Sequence, residues 1–291
     1  MAYLYHYHPT KNWMNDPNGL TYFNNLFHIY YQYNPKGINW GNISWGHATT
    51  RDFINYKEEK IVLKPDREYD KDGCYSGNSI IIGDTLYVYY TSVSNNRQTQ
   101  SVAYSKDGYK FIKYDKNPII DTNYEARDPF VFKYNDELYM LIGTQNKVLL
   151  YKGSSPFDFN YVSNLLETDE FIECPNLVNL GDKYLFKYSS MVDRKDHFYI
   201  GTFNGLNFIK EEEIKLDLPH NYYASQMFIH DNKVILIGWI FNDEYKTNKP
   251  YNGVLSIPRI IEYKNNKLTT KPYIESLRDV VIDEDITEIF K

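Results

Sequence analysis

Three acidic residues stand in similar local sequences and are the first candidates for chemistry. Asp16, Asp128 and Glu173 each lie one or two residues before a proline, and an apolar run follows. A single Asp-Pro pair is most often a plain turn, so the signal is the threefold repetition. Converging carboxylates have two main uses in proteins, which are binding a hard cation such as calcium and cleaving glycosidic bonds with one nucleophile and one acid. Their position alone leaves both uses open.

Aromatic residues tilt the balance towards sugar chemistry. Trp13, Trp40 and Trp45 stand near the first acid in the sequence, and the chain contains 30 tyrosines. Aromatic faces stack on the apolar faces of sugar rings. Tyr and Phe also favour β-strands, however, so the composition by itself does not identify a sugar-cleaving enzyme.

Five β-hairpins are predicted along the chain to position these residues. Each consists of two short runs rich in Tyr, Ile, Val and Phe that flank a polar turn, such as Asn24-Asn25 or Asn135-Asp136. The hairpins recur at intervals of roughly 50 residues, which is typical of repeat proteins whose unit is a small multi-stranded sheet. Their first strands are marked by Leu20, Ser79, Phe130, Leu177 and Met227.

This spacing predicts an all-β protein with one five-bladed β-propeller over residues 1–270. Residues 271–291 are predicted to be a C-terminal tail or linker segment. A β-sandwich is the alternative fold, but it does not require such regular intervals. Innermost strands of a propeller line its central channel, so equivalent positions in different blades face one axis. Each acid is expected in a proline-marked turn a few residues before the first strand of its blade. We therefore expect the three acids, in blades one, three and four, to share an active site in that channel.

Composition and charge argue against several other classes of function. The net charge of −6, with acidic and basic residues interspersed, indicates neither a nucleic-acid partner nor a membrane surface. No apolar run approaches the roughly 20 residues of a membrane-spanning helix, and residues 1–7 lack the features of a signal peptide, so we expect a cytoplasmic protein. Cys74 and Cys174 are expected to be reduced thiols rather than one disulfide. No cysteine–histidine spacing indicates zinc, and we expect no metal and no cofactor.

One run of the sequence resembles a known motif. The segment Asn12-Trp13-Met14-Asn15-Asp16-Pro17-Asn18-Gly19 is similar to the β-fructosidase motif of glycoside hydrolase family 32, which includes invertases, levanases, inulinases and sucrose-6-phosphate hydrolases. Further runs resemble motifs of that family in the same order and cover nearly the whole chain: Tyr31-Gln32-Tyr33-Asn34-Pro35, Trp40-Gly41-Asn42, Trp45-Gly46-His47-Ala48-Thr49, Gly73-Cys74-Tyr75-Ser76-Gly77, Arg127-Asp128-Pro129, Glu173-Cys174-Pro175, Tyr222-Tyr223-Ala224-Ser225-Gln226 and Leu255-Ser256-Ile257-Pro258-Arg259. The resemblance implies a five-bladed propeller, in agreement with the hairpin count, and an enzyme that cleaves terminal β-D-fructofuranosides.

The resemblance also implies a role for each acid. Asp16 would be the nucleophile that forms a covalent fructosyl intermediate, Glu173 the acid and base, and Asp128 a stabiliser of the transition state. In a retaining pair the two reacting carboxyls lie about 5–5.5 Å apart, and we expect Asp16 to stay ionised and to raise the pKa of its partner. The substrate-binding residues implied by the resemblance are Asn15, Gln32, Trp40, Ser76 and Arg127.

The chain departs from the family pattern in a few places. The β-sandwich domain that usually follows the propeller in this family has no counterpart before Lys291. We expect self-association or the C-terminal tail to cover the flank of the propeller on which that domain would pack. A homo-oligomer is therefore one predicted partner. Asn221 stands where an acid is usual, and Asn78 where a small hydroxyl residue is usual.

Several alternatives stay open from the sequence. A fructosyltransferase would use the same three acids, and a non-catalytic sugar-binding propeller is a candidate from another class of function. The expected partner is a small sugar or oligosaccharide, with sucrose, sucrose 6-phosphate and short fructo-oligosaccharides as candidates. Recognition of a phosphate would require a cation at the pocket rim, for which the loop positions suggest Lys36, Arg97 or Lys195.

Overall fold

The protein is built from five small β-sheets arranged around a central channel. The computed structural model describes residues 6–216, 221–241 and 249–273. Within these ranges the strands form five sheets, and each sheet contains one of the five predicted hairpins. The prediction of an all-β, five-bladed β-propeller is therefore confirmed.

The strands of each blade are numbered in chain order. Blade one contains β1 (Asn12–Phe23), β2 (Leu26–Asn34), β3 (Ser44–Thr50) and β4 (Tyr56–Glu58). Blade two contains β5 (Gly73–Cys74), β6 (Ser79–Ile82), β7 (Thr85–Ser94), β8 (Arg97–Ser105) and β9 (Ile112–Lys113), preceded by a 3₁₀ turn at Glu68–Asp70. Blade three contains β10 (Ala126–Tyr134), β11 (Glu137–Thr144), β12 (Lys147–Ser155) and β13 (Asp158–Glu167). Blade four contains β14 (Ile172–Asn179), β15 (Tyr184–Ser190), β16 (Asp196–Phe203) and β17 (Phe208–Ile214). Blade five contains β18 (Tyr222–His230), β19 (Lys233–Ile240), β21 (Val254–Leu255), β22 (Arg259–Lys264) and β23 (Lys267–Pro272), and β20 (Tyr251–Asn252) joins the sheet of blade one.

The polar turn pairs form tight hairpins because both of their residues adopt left-handed backbone conformations. Asn24 and Asn25 have φ values of 50° and 63°, and Asn135 and Asp136 have values of 49° and 61°. A two-residue turn of this type matches the right-handed twist of the flanking strands, and Asn and Asp tolerate positive φ better than other side chains. The turn pairs therefore set the register of the inner hairpins.

Apolar side chains fill the spaces between neighbouring blades. One buried cluster joins blades three to five around Phe186 and Leu236, and another joins blades one and two around Trp45 and Val88. Each sheet thus packs face to face on the next, and the period-2 pattern of the strands supplies both faces.

The ring closes between blade five and blade one. Strand β20 pairs in parallel with the start of β1, where Asn12 N donates to Pro250 O at 2.7 Å and Leu255 N donates to Tyr7 O at 2.8 Å. These bonds join residues about 240 positions apart in the chain. Chain closure of this kind pairs the start of the inner strand of blade one, at Asn12 and Trp13, with the end of the chain's ring.

The last strand, β23, ends at Pro272, just beyond the boundary at residue 270 that we predicted for the propeller. The tail predicted for residues 271–291 lies outside the described residues from position 274 onward. No helix in the described part of the chain is long and apolar enough to cross a membrane.

Candidate active site

A cavity of about 430 Å³ opens at one end of the central channel. Asp16, Asp128 and Glu173 all line it, so the three acids that we expected to meet on the propeller axis do meet there. A volume of this size is within the range of small-molecule sites, roughly 300–1,000 Å³. The fold therefore brings together three carboxyls that are up to 157 positions apart in the chain.

A β-bulge in the inner strands of blades one, three, four and five aims the side chains on those strands. The ladder between the first two strands of a blade is interrupted at Met14/Pro17, Arg127/Phe130, Glu173/Asn176 and Tyr223/Gln226. Asp128, Cys174 and Ala224 at these points have φ values of 62°, 47° and 52°. An extra residue in one strand reverses which face the following side chains present. The acids thus lie inside the inner strands, because pairing resumes on both sides of each bulge. The proline pattern had led us to expect them in turns before those strands, and that prediction was wrong.

Asp16 is held at the cavity floor by three donors. Its Oδ2 accepts from Ser76 Oγ at 2.6 Å and from Gln32 Nε2 at 3.2 Å, and its Oδ1 accepts from Asn15 Nδ2 at 2.9 Å. Trp13 Nε1 in turn donates to Asn15 Oδ1 at 2.9 Å, which fixes the orientation of that amide. The side chain of Asp16 is therefore locked in one direction before any ligand binds.

Burial raises the pKa of Asp16 to about 7, and the neighbouring charge of Asp128 raises it further than the hydrogen bond from Ser76 lowers it. Burial therefore works against the ionisation of this carboxyl, whereas we had expected from the sequence that it would stay ionised. That expectation did not include the loss of water around the group.

Asp128 is also buried, and one of its two oxygens is occupied by blade four. Cys174 N donates to Asp128 Oδ2 at 2.9 Å, and Asp128 N donates to Thr91 Oγ1 at 2.9 Å. Burial and the charge of Glu173 raise the pKa of Asp128 to about 6, against the lowering effect of Arg127. Among the described residues its Oδ1 has no hydrogen-bond partner, so this oxygen is available to a hydroxyl of a ligand.

Glu173 lies on the cavity wall between two donors from other blades. Arg127 Nε and Nη2 approach its Oε1 at 3.0 and 2.9 Å, and Tyr223 Oη donates to its Oε2 at 2.6 Å. Arg127 itself packs over the ring of Phe171, with its guanidinium carbon 3.9 Å from the centroid. Its guanidinium also donates to Glu125. Burial holds the pKa of Tyr223 far above its usual range, so the phenol keeps its proton and acts as a donor.

The predicted binding residues differ in where they lie. Asn15, Gln32, Trp40 and Arg127 line the cavity, and Trp40 is 54% exposed at its rim, in edge contact with Tyr75. Ser76 is buried behind the cavity and acts on Asp16 and Gln32. Trp45, which we had grouped with the site, is fully buried between blades one and two.

Several lining residues were missed because no local pattern marks them. Gln98 comes from blade two and Glu125 from the loop before β10. Arg194 comes from the turn after β15, and Trp239 from β19. Arg194 packs over the Tyr223 ring, with its guanidinium carbon 4.5 Å from the centroid. Tyr223 had a signal, since it belongs to the Tyr-Tyr-Ala-Ser-Gln run, but its bond to Glu173 depends on the neighbouring blade.

The two departures from the family pattern lie away from the acids. Asn78 forms a two-way bond with Val131 of blade three, at 2.8 and 2.7 Å, and so links two inner strands. Asn221 precedes β18 and accepts from Phe241 N at 3.1 Å. Neither residue lines the cavity with the acids. Of the three cations named for phosphate recognition, Arg97 lines an adjoining cavity, and Lys36 and Lys195 line neither of these two cavities.

A fully buried lysine supports the bulge at Cys174. Lys187 Nζ donates to Ser225 O at 2.7 Å and to Cys174 O at 3.3 Å, and it lies 3.4 Å from Asp196 Oδ1. Asp196 in turn accepts from Ser225 N at 3.0 Å. The pair therefore ties the strand that carries Glu173 to the strand that carries Tyr223.

The cysteines are both free and buried, as predicted. Cys174 Sγ lies 3.5 Å from Asp128 Oδ2, and burial raises the pKa of its thiol. Among the residues that the structure describes, no group of three His, Cys, Asp or Glu side chains is placed to hold a metal ion.

Fold and site together define a five-bladed propeller with a carboxylate-lined pocket at one end of its channel. Residues 6–272 match the family described as the glycosyl hydrolases family 32 N-terminal domain, and the chain belongs to that family. The sucrose-6-phosphate hydrolase of Escherichia coli is 32% identical, over 94% of this chain and 65% of its own length. The levanase of Bacillus subtilis (strain 168) is 29% identical, over 89% of this chain and 44% of its own length.

A solved structure shows the same likeness. The GH32 beta-fructofuranosidase BmSUC1 of Bombyx mori superposes with a TM-score of 0.85 at 31% identity, over 96% of this chain and 67% of that one. The chain thus spans about two thirds or less of the length of these relatives.

Proposed function

We propose that this chain hydrolyses terminal β-D-fructofuranosides and retains the configuration of the anomeric carbon. The observation that supports the proposal most is the pairing in one cavity of Asp16, locked at the floor by three donors, with Glu173, held on the wall by Arg127 and Tyr223. Two carboxyls with different surroundings suit the two roles of a glycosidase, one as the acid and one as the nucleophile or base, and retention is implied by the family resemblance. The relatives named above, a sucrose-6-phosphate hydrolase, a levanase and a beta-fructofuranosidase, support the fructosyl unit as the substrate group.

In the first step an oxygen of Asp16 attacks the anomeric carbon of the fructosyl unit. Its Oδ1 accepts one hydrogen bond, from Asn15, whereas Oδ2 accepts from both Ser76 and Gln32, so Oδ1 is the better placed to attack. The bond from the anomeric carbon to the leaving oxygen breaks, and Glu173 transfers its proton to that oxygen. The product of this step is a fructosyl ester of Asp16.

In the second step water attacks the same carbon from the side that the leaving group vacated. Glu173 takes a proton from the water, and the ester bond to Asp16 breaks, which restores both carboxyls. Asp128 contributes through its free Oδ1, which binds sugar hydroxyls and stabilises positive charge on the ring in both transition states.

The test is a sugar-release assay over sucrose, sucrose 6-phosphate, 1-kestose, inulin and levan. The unmutated protein and the Asp115→Ala control, which changes an exposed carboxyl outside the cavity, should release fructose, and Asp16→Ala should not. Carbon-13 NMR of the anomeric C2 of the first-formed product should show retention, and mass spectrometry of a quenched reaction should find a fructosyl adduct on the peptide that contains Asp16. Failure of the unmutated protein to cleave any of these substrates would refute the proposal, and inverted product would refute the covalent route. Transfer of fructose to sugar in place of water at high sucrose would identify a fructosyltransferase.

A further inference from the structure

Met191 differs from the other described methionines in its access to solvent. It is 43% exposed, whereas Met14, Met140 and Met227 are at most 2% exposed. Met1 lies outside the described residues. Within the part of the chain that the structure describes, Met191 therefore carries the one thioether that a dissolved reagent reaches directly.

The thioether of Met191 contacts the arginine that holds the proposed acid. Arg127 Nη2 donates to Met191 Sδ at 3.1 Å. The same nitrogen lies 2.9 Å from Glu173 Oε1, and Arg127 Nε donates to that oxygen at 3.0 Å. A chemical change at this sulfur therefore acts one contact away from the group that transfers the proton in the proposed reaction.

The backbone on either side of Met191 is held by hydrogen bonds. Met191 N donates to Phe171 O at 3.4 Å, and Arg194 N donates to Ser190 O at 3.1 Å, which closes the turn after β15. Ser190 Oγ also accepts from Val192 N at 3.1 Å. The turn thus keeps the thioether beside Arg127 while Met191 stays partly exposed to solvent.

A sulfoxide at Met191 does not fit into this contact without movement. A thioether sulfur is a weak acceptor, whereas oxidation makes the side chain polar. An oxygen that accepted from Arg127 Nη2 would need about 2.9 Å to that nitrogen in addition to its covalent bond to sulfur. The separation of 3.1 Å between Sδ and Nη2 leaves no room for both. The guanidinium is therefore displaced towards the new acceptor, and its bonds to Glu173 weaken.

The two cysteines are poorer targets for an oxidant. Cys74 and Cys174 are both buried, and burial raises the pKa of each thiol. Because the thiolate is the form that reacts, both thiols are slow to oxidise. The exposed thioether is therefore the first sulfur that we expect to be modified.

We propose that Met191 is an oxidation site for peroxides, and that its sulfoxide lowers activity by drawing Arg127 away from Glu173. A lone pair of Met191 Sδ attacks one oxygen of hydrogen peroxide, so that the S–O bond forms and the O–O bond breaks. The proton of the transferred hydroxyl passes to the departing hydroxide, which leaves as water. Sulfur loses two electrons and the peroxide gains them. Methionine sulfoxide reductases reverse the change. The effect on activity rests on the proposed function, whereas the oxidation itself does not.

The experiment treats three proteins with dilute hydrogen peroxide: the unmutated chain, Met191→Leu and Met140→Leu. Leucine keeps most of the volume of methionine and cannot form a sulfoxide. Met140→Leu is the matched control, because it removes a buried thioether on strand β11 and leaves Met191 in place. Peptide mass spectrometry locates the added oxygen. For each protein, the rate of fructose release after treatment is divided by the rate before it.

The unmutated protein and Met140→Leu should each gain one oxygen on the peptide that contains Met191. Their rates should fall about five- to tenfold, as expected when a hydrogen bond to a charged group is weakened. Methionine sulfoxide reductases A and B together should restore the rates, and Met191→Leu should keep its own rate through the treatment. Oxidation of a buried methionine ahead of Met191, or an equal loss of rate in Met191→Leu, would overturn the proposal.

An NMR measurement keeps this inference separate from the proposed reaction. The side-chain Nε–H resonance of Arg127, identified by its absence in Arg127→Lys, reports the bond to Glu173 without turnover. Peroxide should shift this resonance in the unmutated protein and not in Met191→Leu. If no fructoside is cleaved but the shift is seen, the oxidation site stands and the proposed hydrolysis fails. If fructosides are cleaved but neither the resonance nor the rate responds to oxidation of Met191, the hydrolysis stands and the inference is refuted.

Discussion

Replacing Asp16 by asparagine should make the protein inactive and, above neutral pH, more stable. Asn has nearly the shape of Asp, so the substitution removes a buried charge with little change in packing. Burial, followed by the charge of Asp128, raises the pKa of Asp16 to about 7 from an ordinary value of 3.8. The cavity thus holds this carboxyl at a cost to stability.

The sign of the effect follows from the raised pKa. Between about pH 4 and pH 7 the carboxyl in the unfolded chain has already lost its proton, whereas in the folded protein it still holds one. The folded state then binds more protons than the unfolded state, so its stability falls as pH rises through this window and stays reduced above it. Asp16→Asn has no proton to lose and escapes this decline.

The pKa values set the size of the effect. The gap between about 7 and 3.8 corresponds to a ceiling of about 4 kcal/mol above pH 7. The carboxyl faces an open cavity, where solvent screens its charge, so we expect ~1–3 kcal/mol. At ~2 °C per kcal/mol for a large domain, Asp16→Asn should raise Tm by ~2–6 °C at pH 8. The gain should approach zero at pH 4.

Scanning calorimetry of both proteins from pH 4 to pH 8 measures this difference directly. Asp52→Asn is a matched control of opposite sign. Burial tends to raise the pKa of Asp52, but hydrogen bonds from Asn55, Ile54 and Thr50 outweigh it and lower the pKa overall, so this variant should lose stability at pH 8. A Tm difference for Asp16→Asn that is the same at pH 4 and pH 8, or that is negative at pH 8, would refute the reasoning.

Three further outcomes are expected for residues around the acid. Glu173→Gln should lower kcat by about 10²–10⁴-fold, because it removes proton transfer, and should leave sugar binding measurable by calorimetry; retained turnover would remove Glu173 from its proposed role. Tyr223→Phe removes the 2.6 Å bond to Glu173, and hydrogen bonds to charged groups are worth about 1.5–3 kcal/mol, so kcat should fall about tenfold and Tm by ~3–6 °C; unchanged kcat would contradict this. Lys187→Met leaves Asp196 buried without its cation and should cost about 3–5 kcal/mol in urea unfolding. Adding Asp196→Asn should recover part of that loss, and no recovery would show that the ion pair is not its source.

The hairpins and their order around the ring were predictable because their signals are local. Asn24-Asn25 and Asn135-Asp136 favour left-handed turn residues whatever lies elsewhere in the chain, and alternating apolar residues on either side define the paired strands. Once the unit recurs five times, a closed ring places equivalent positions on one axis. That reasoning was enough to bring Asp16, Asp128 and Glu173 together.

What surrounds the acids was decided only by the tertiary structure. The bulges in β10 and β14 determine which side chains of those strands turn into the cavity, and their positive φ values fall on Asp128 and Cys174. Asp tolerates such a conformation, but Cys has no preference for it. Trp45 stands in a family motif yet packs in the core, whereas Arg194 stands in none and reaches the cavity rim.

The physical reason is the difference between local and long-range interactions. Turn chemistry and strand period depend on residues within a few positions, so the sequence by itself determines the blades and the acids they carry. The pKa of Asp16 and the contacts that Arg127 and Tyr223 make with Glu173 depend on groups brought from other blades. Desolvation and charge coupling act through space, and the short distances between groups of different blades exist only once the ring has closed.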